Sequence, residues 1–301
     1  MREPPQAAML PDGRRLHLQD GPIDLIVEGF DRPAAVQAAY VAAAQRFATI
    51  LDELCAELPL LRAPAVAGRC ALQGTVARRM FAAVEPFAST QFITPMAAVA
   101  GAVAEEVLGA MLAAAPLERA YVNNGGDIAL HLTPGTEFTA GLIDRPDRPS
   151  LFGEARLRAE DPVCGIATSG WRGRSFSLGI ADAVTVLAHT AAMADAAATV
   201  IANAVDLPGH PAVRRLPASE LQPDSDFGDR LVTCEVGPLA EPEIARALSA
   251  GAARARSLRE HGLIEAAALH LRGETCTVGM PMPSATIPSH AFPQTRVLVH
   301  G

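Results

Sequence analysis

Strand-like runs arrive in pairs, helix-like runs arrive in pairs, and this order restricts the chain more than any single motif. Residues 14–19 alternate apolar and polar side chains, Asp20-Gly21 is a turn dipeptide, and residues 23–27 are apolar, which predicts a β-hairpin. Asp31 stands where a helix cap would, Pro33 suits the first turn, and an alanine-rich run continues to residue 58 before Pro59 stops it. Helical runs follow over 72–84 and 95–114. The second is apolar on nearly all sides until Glu105 and Glu106, so it is expected deep in the core.

Strands at 120–122 and 128–132 flank Asn123-Asn124-Gly125-Gly126-Asp127, and short strands continue at 138–143, 154–157 and 165–168. An apolar strand over 183–188 leads to Thr190, a cap for a helix over 191–205. Residues 208–229 are polar and proline-containing and read as the most flexible segment. A strand at 231–236, a helix at 241–262 and a hairpin of 264–272 with 275–280 close the regular part. The proline-bearing tail, 281–301, is expected to be extended. Strand pair, helix pair, strand pair and a partial repetition together predict an α+β protein with helices packed on a mostly antiparallel sheet. No linker separates two autonomous halves, so residues 1–301 read as one domain, with an internal duplication left open.

Composition removes whole classes of chemistry. All 25 basic residues are arginine, because the sequence contains no lysine. Schiff-base catalysis, pyridoxal phosphate chemistry and a Walker-type phosphate loop each need an ammonium group and are excluded. A net charge of −8 lacks the clustered cations of a nucleic-acid-binding surface. The five cysteines stand no closer than the 15 positions between Cys55 and Cys70, which leaves no CxxC pair and no zinc knuckle. That usage reads as reduced thiols in a cytoplasmic protein. Residues 1–20 carry Pro4, Pro5, Pro11 and Gly13 and make a poor secretory signal, and no apolar stretch reads as a membrane span. Every histidine stands alone, and no Gly-x-Ser-x-Gly elbow occurs, so zincin and α/β-hydrolase chemistry lack support.

Three polar clusters carry the candidate chemistry. In Asn124-Gly125-Gly126-Asp127 the glycines allow positive φ and a close backbone approach to a ligand; an ordinary hairpin turn is the competing reading. Thr168-Ser169-Gly170, at the end of an apolar strand, can offer donors to phosphate oxygens. Trp171, Arg172 and Arg174 follow it and could stack on a flat heterocycle or pair with phosphate, or simply form a polar loop. Asp195, Thr199 and Asn203 fall four residues apart on an otherwise apolar helix and share one face. A buried carboxylate there needs a partner, and a hard cation such as Mg²⁺ would satisfy it; a solvent-facing stripe is the alternative.

Read in order, residues 122–128, 165–170, 183–186 and 194–199 resemble the ApbE family. The phrase Thr94-Pro95-Met96-Ala97-Ala98-Val99-Ala100-Gly101 looks more like a separate branch of it than like its transferases. The resemblance covers about a third of the chain, and its strength lies in the ordered set. It implies a duplicated T-fold-like α+β arrangement, antiparallel sheets covered by helices, and binding of FAD with Mg²⁺. Many members transfer FMN from FAD to a threonine of a target protein. Carried over by position, Asn124, Gly125, Gly126, Asp127, Thr168, Ser169 and Gly170 would line the nucleotide site, and Asp195 and Thr199 would hold the metal. The transferases carry a Lys-Gly pair ahead of the Gly-Gly-Asp turn and a histidine before an Asp-Pro-x-Thr-Gly stretch. Neither is present here, and Asp182 is the nearest ionisable group that could act as base. Three functions therefore stay open: cleavage or transfer at the pyrophosphate of FAD or a related nucleotide, flavin or heterocycle binding without turnover, and an enzyme acting on a pterin or purine. The partner expected is a small nucleotide or flat heterocycle, with neither nucleic acid nor membrane, and a homodimer is left open.

Overall fold

The computed structural model of the chain describes residues 3–143, 151–279 and 296–298. In chain order the first elements are β1 (Gln6–Met9), β2 (Leu16–Asp20), β3 (Ile23–Phe30), α1 (Pro33–Ala56), α2 (Leu58–Leu61), α3 (Thr75–Val84), α4 (Val99–Ala114), β4 (Arg119–Asn124) and β5 (Asp127–Leu132). Then follow β6 (Glu137–Ile143), β7 (Leu151–Arg158), β8 (Gly165–Ser169), β9 (Ala183–Ala188), α5 (Ala191–Ala204), β10 (Val213–Pro217), α6 (Ala218–Leu221), β11 (Leu231–Val236), α7 (Glu241–Glu260), β12 (Ala266–Leu271), β13 (Glu274–Val278) and β14 (Arg296–Leu298).

One nine-stranded sheet, in the order β1-β2-β3-β4-β5-β8-β9-β12-β13, forms the frame, and every neighbouring pair in it is antiparallel. Strands β2 to β5 form one run of four, interrupted between β3 and β4 by helices that include the packed pair α1 and α4. The other run is β8, β9, β12 and β13, interrupted by the packed pair α5 and α7. The expected α+β class with helices on antiparallel strands is the observed one. The two runs meet at the β5–β8 pairing, where Ile128 lies opposite Ile166.

The helices lie together on one face because each carries an apolar stripe. On α1 the buried positions Ala39, Tyr40, Ala43, Phe47, Ile50 and Leu54 recur every three or four residues, which is the period of one helical face. This helix starts from Arg32, with Pro33 in its first turn, and Asp31 accepts only from the Arg32 N–H (2.6 Å) rather than capping it. The expected cap at Thr190 is observed: its hydroxyl oxygen accepts from the Met193 N–H at 3.2 Å. By length and composition the segment Pro95–Ala114 could cross a bilayer. Here it is a core helix, a 3-10 turn (Pro95–Ala98) running into α4, which packs on α1, α3, α5 and the strands β4 and β5. The opposite sheet face is covered by β6 and β7, whose Phe138, Ala140 and Leu157 pack against Tyr121, Ile128 and Ile166.

One expectation is corrected. Residues 208–229 hold a strand and a short helix: β10 pairs with β11 through a register shift at Arg214/Arg215, and the Ser219 hydroxyl donates to Asp229 at 2.6 Å. Pairing with a strand that starts later in the chain supplies the order that local composition does not. Strand β1, which pairs with β2, has no alternating pattern to betray it. Of the tail expected to be extended, 281–295 and 299–301 lie outside the described residues.

The helix layer depends on a close approach of α4 to α5. A Cβ placed on Gly101 would lie 2.2 Å from the Ala191 carbonyl oxygen, a backbone atom that cannot move aside alone. Gly101→Ala is expected to lower unfolding stability by about 2–3 kcal/mol, measured by urea denaturation. An unchanged midpoint would contradict this packing.

Candidate functional site: an acidic pair between the two strand runs

At the junction of β5 and β8 the chain brings two carboxylates together. Asn124 and Asp127 pair across a two-residue hairpin whose centre, Gly125 and Gly126, has φ of 62° and 108°. Two positive φ angles are the type I′ turn that matches strand twist, and only residues such as glycine take them without strain. The turn is closed from the side by Asn123, whose Oδ1 accepts from the Gly126 N–H at 2.8 Å. It starts β5 with the Asp127 carboxyl on the helix-facing side, the side of Ala129. There the Thr168 N–H donates to Asp127 Oδ1 at 3.1 Å.

Asp195 approaches from the helix layer. Its Oδ2 accepts from the Gly101 N–H at 3.1 Å, at the start of α4. Asn124 ties the same place to the sheet, its Nδ2 donating to the Ala100 carbonyl at 3.1 Å. The buried Asn124 is thus a brace of the cleft rather than a free donor. Burial pushes the Asp195 carboxyl up to about 7, against the pull of the Gly101 and Ala100 N–H groups. The Asp127 carboxyl is held well above the usual carboxylate range, first by burial and then by the negative charge of Asp195. The Thr168 N–H and the Arg174 guanidinium pull it the other way. Arg174 reaches the bend from outside: a Cβ on Gly125 would lie 3.2 Å from its Nη1, and its Nη2 donates to the Pro22 carbonyl at 3.1 Å.

The remaining candidates divide. Thr199 lies one turn beyond Asp195 on the same half-buried face, a rise of about 6 Å. Ser169 lies two residues beyond Ala167, which faces the helices, a rise of roughly 6–7 Å on the same sheet face. The Thr168 side chain points to the other sheet face, where its hydroxyl meets that of Thr185 at 2.9 Å. Gly170 leaves no room for a side chain, since a Cβ would lie 2.5 Å from the Asp182 carbonyl. Asn203, last in the stripe, accepts from the Leu178 N–H (2.9 Å) and pairs with the Ser177 hydroxyl (3.2 Å).

Asp182 is placed in a clamp. It is 3% exposed, and Oδ1 accepts from Arg172 Nε (2.6 Å) and Trp171 Nε1 (3.2 Å), while Oδ2 accepts from the Arg272 N–H (2.7 Å). Arg272 itself sits at φ 53°, unusual for a residue with a Cβ, so the carboxylate also holds a turn in shape. Removing the acceptor would leave donors unpaired. Asp182→Ala is expected to cost about 3 kcal/mol of stability, read as a drop in denaturant midpoint; full stability would disprove the clamp.

Sequence reasoning missed the start of α4, whose N–H groups hold Asp195, and missed Arg174 as the charge facing Asp127. The first signal was present as Gly101 inside an apolar run. The donors are all oxygens, from carboxylates, hydroxyls and carbonyls, which suits a hard divalent cation; among the described residues no group of three or more His, Cys, Asp or Glu comes together.

Fold and site together define an α+β protein with two half-buried carboxylates at the seam of its sheet. The family model described as AbpE bacteria matches residues 7–277, and the chain belongs to that family. The UPF0280 protein of Methanopyrus kandleri is 43% identical over 129 residues, 42% of this chain and 48% of that protein. That of Methanosphaerula palustris is 38% identical over 123 residues, 38% of this chain and 47% of that protein. The chain spans about half the length of the curated relatives it matches. Among solved structures, the flavinyl transferase ApbE of Pseudomonas stutzeri in its apo form aligns over 92% of this chain and 95% of its own, with TM-score 0.40 and 13% identity. The flavin transferase ApbE from Vibrio cholerae aligns over 66% and 87%, with TM-score 0.31 and 13% identity. The fold assignment rests on the sheet topology itself.

A raised carboxyl also makes stability depend on pH. The Asp195 group is protonated in both states below its unfolded value of 3.8, so its contribution is fully present there. It is lost as pH rises through about 7, where folding must bury the charge. In cation-free buffer, wild type is expected to lose stability relative to Asp195→Asn between pH 4 and 8 by up to about 4 kcal/mol. Parallel stability curves for the two proteins would refute this.

Proposed function

We propose that the cleft binds FAD or a related nucleotide with a divalent cation such as Mg²⁺ and cleaves or transfers at the pyrophosphate. One observation carries this reading: the Gly101 N–H on Asp195 and the Asn124–Ala100 hydrogen bond bring two half-buried carboxylates, Asp127 and Asp195, near enough for the charge of one to act on the other, a repulsion that a proton or a cation relieves. Asp195 and Thr199 would hold the cation, with Asp127 beside them. When bound, the cation neutralises charge on the pyrophosphate oxygens.

The chain's own groups divide the remaining work. Ser169, on the helix-facing side of β8, and Arg174, whose Nη1 lies beside the Gly125 bend, would receive phosphate oxygens. Asp182, expected from the sequence to handle the proton, has both oxygens engaged in its clamp, which makes it a positioning residue for the 170–174 segment. The proton then falls to Asp127, whose affinity for it is raised by burial and by the charge of Asp195, as a general base requires. Family membership and the named activity of the Pseudomonas stutzeri and Vibrio cholerae proteins agree with flavin transfer. Binding without turnover is the second reading. It is favoured by the stretch Phe176-Ser177-Leu178-Gly179-Ile180-Ala181-Asp182, which offers no histidine and, in Asp182, only an engaged carboxylate.

Incubation with FAD and Mg²⁺, followed by chromatography, is expected to release AMP. Asp195→Ala should lower that release by about 100-fold, and chelation of the cation should abolish it. Tight flavin titration with no AMP would leave only the binding reading; neither flavin binding nor AMP would end both.

A further inference from the structure

Aromatic side chains are scarce here, with ten Phe, two Tyr and one Trp in the whole chain. Three of the phenylalanines nevertheless meet at one place, from three distant segments. Phe92 stands just ahead of Thr94 and the 3-10 turn that leads into α4. Phe176 precedes Ser177, whose hydroxyl pairs with Asn203 at the far end of the Asp195–Thr199–Asn203 stripe. Phe227 lies between α6 and β11 and bridges the other two. Its ring centroid is 5.9 Å from that of Phe92 at an interplanar angle of 57°, and 6.4 Å from that of Phe176 at 82°.

The bridging segment is fastened just ahead of Phe227. The Thr94 hydroxyl donates to Asp226, and Arg62 pairs with Asp224 at 2.9 Å. The Arg230 guanidinium lies 3.6 Å over the Phe92 ring and closes one of its faces. Phe92 therefore backs Phe227, while Phe176 and Phe227 stand nearly perpendicular. All three side chains remain half-buried, unlike Phe47, Phe87 and Phe138, which are 1% exposed in the core. A right-angled pair of rings offers a planar ligand one face to stack on and one edge to meet, the two favoured aromatic geometries.

We propose that the corner formed by Phe176 and Phe227, backed by Phe92, seats the planar heteroaromatic ring of the ligand whose charged end lies at Asp127 and Asp195. The inference rests on the nucleotide reading above and adds the ring-binding end of that same cleft. Stacking on an aromatic face tolerates many ring types, so this end would admit flavins and other flat heterocycles, and the acidic end would select the charged ones.

Titration with riboflavin, which carries the ring without phosphates, and with FAD tests the corner. Phe176→Leu and Phe227→Leu keep the apolar volume but remove the π face. Each is expected to weaken both ligands by about tenfold, and Phe227→Trp to restore affinity with its new fluorescence quenched by bound flavin. Unchanged affinity for both ligands in both leucine variants overturns the corner and leaves the nucleotide reading standing. Weakened binding in the variants, with no AMP released from FAD by wild type, supports the corner and overturns turnover. Wild type that binds neither ligand overturns both. Should the leucine variants melt early, the Phe227→Trp protein decides: quenching supports the seat, and no quenching overturns it.

Discussion

Two half-buried carboxylates, Asp127 and Asp195, close enough to feel each other's charge, are the constraint around which this molecule is arranged. A single buried charge is costly, and a like-charged pair is worse, so the surroundings must restrain groups that repel each other. The restraint comes from backbone donors on both sides: the Thr168 N–H on Asp127 and the Gly101 N–H on Asp195. Each donor belongs to a different layer, so the sheet and the helices must be in register for the pair to form. The Asn124–Ala100 hydrogen bond and the absence of a side chain at Gly101 supply that register.

The site's position follows from topology. Strands β5 and β8 come from different runs of the sheet and share a short ladder, in which Ile128 and Ala129 pair with Ile166 and Gly165. Just past that ladder lie the hairpin bend at Gly125-Gly126 and the loop after Ser169. Helix α5 runs along β8 from Gly165 onward, and its one polar stripe meets this gap. The second sheet layer, β6 with β7, closes the opposite face with apolar residues. The Asp182 clamp then fixes the segment that follows Gly170.

Much of this was legible in the sequence because it is local. The period-two and period-four patterns located most strands and helices, and the Thr190 cap and the Asn124-Gly125-Gly126-Asp127 bend obey short-range rules. The polar stripe at Asp195, Thr199 and Asn203 stood out on an apolar helix, and its ordered companions pointed to the family. What failed was long-range. Asp182 reads as free until its neighbours Arg172 and Arg272, the latter 90 positions away, come to hold it. The Thr168 hydroxyl faces away from the cleft because a strand alternates, and its donor role passes to its own backbone. The 208–229 segment looks unstructured only when β11 is not yet there to pair with it.

The convergence of Asp127 and Asp195 is tested most directly by calorimetric titration of magnesium into the cation-free protein at pH 7, in buffers of different ionisation enthalpy. If the two carboxyls share a proton that a cation displaces, saturable binding should release up to about one proton per ion, and both the release and the affinity should fall in Asp127→Asn and in Asp195→Asn. A magnesium isotherm that is the same in wild type and both variants, with no proton released, would contradict a paired acidic cleft.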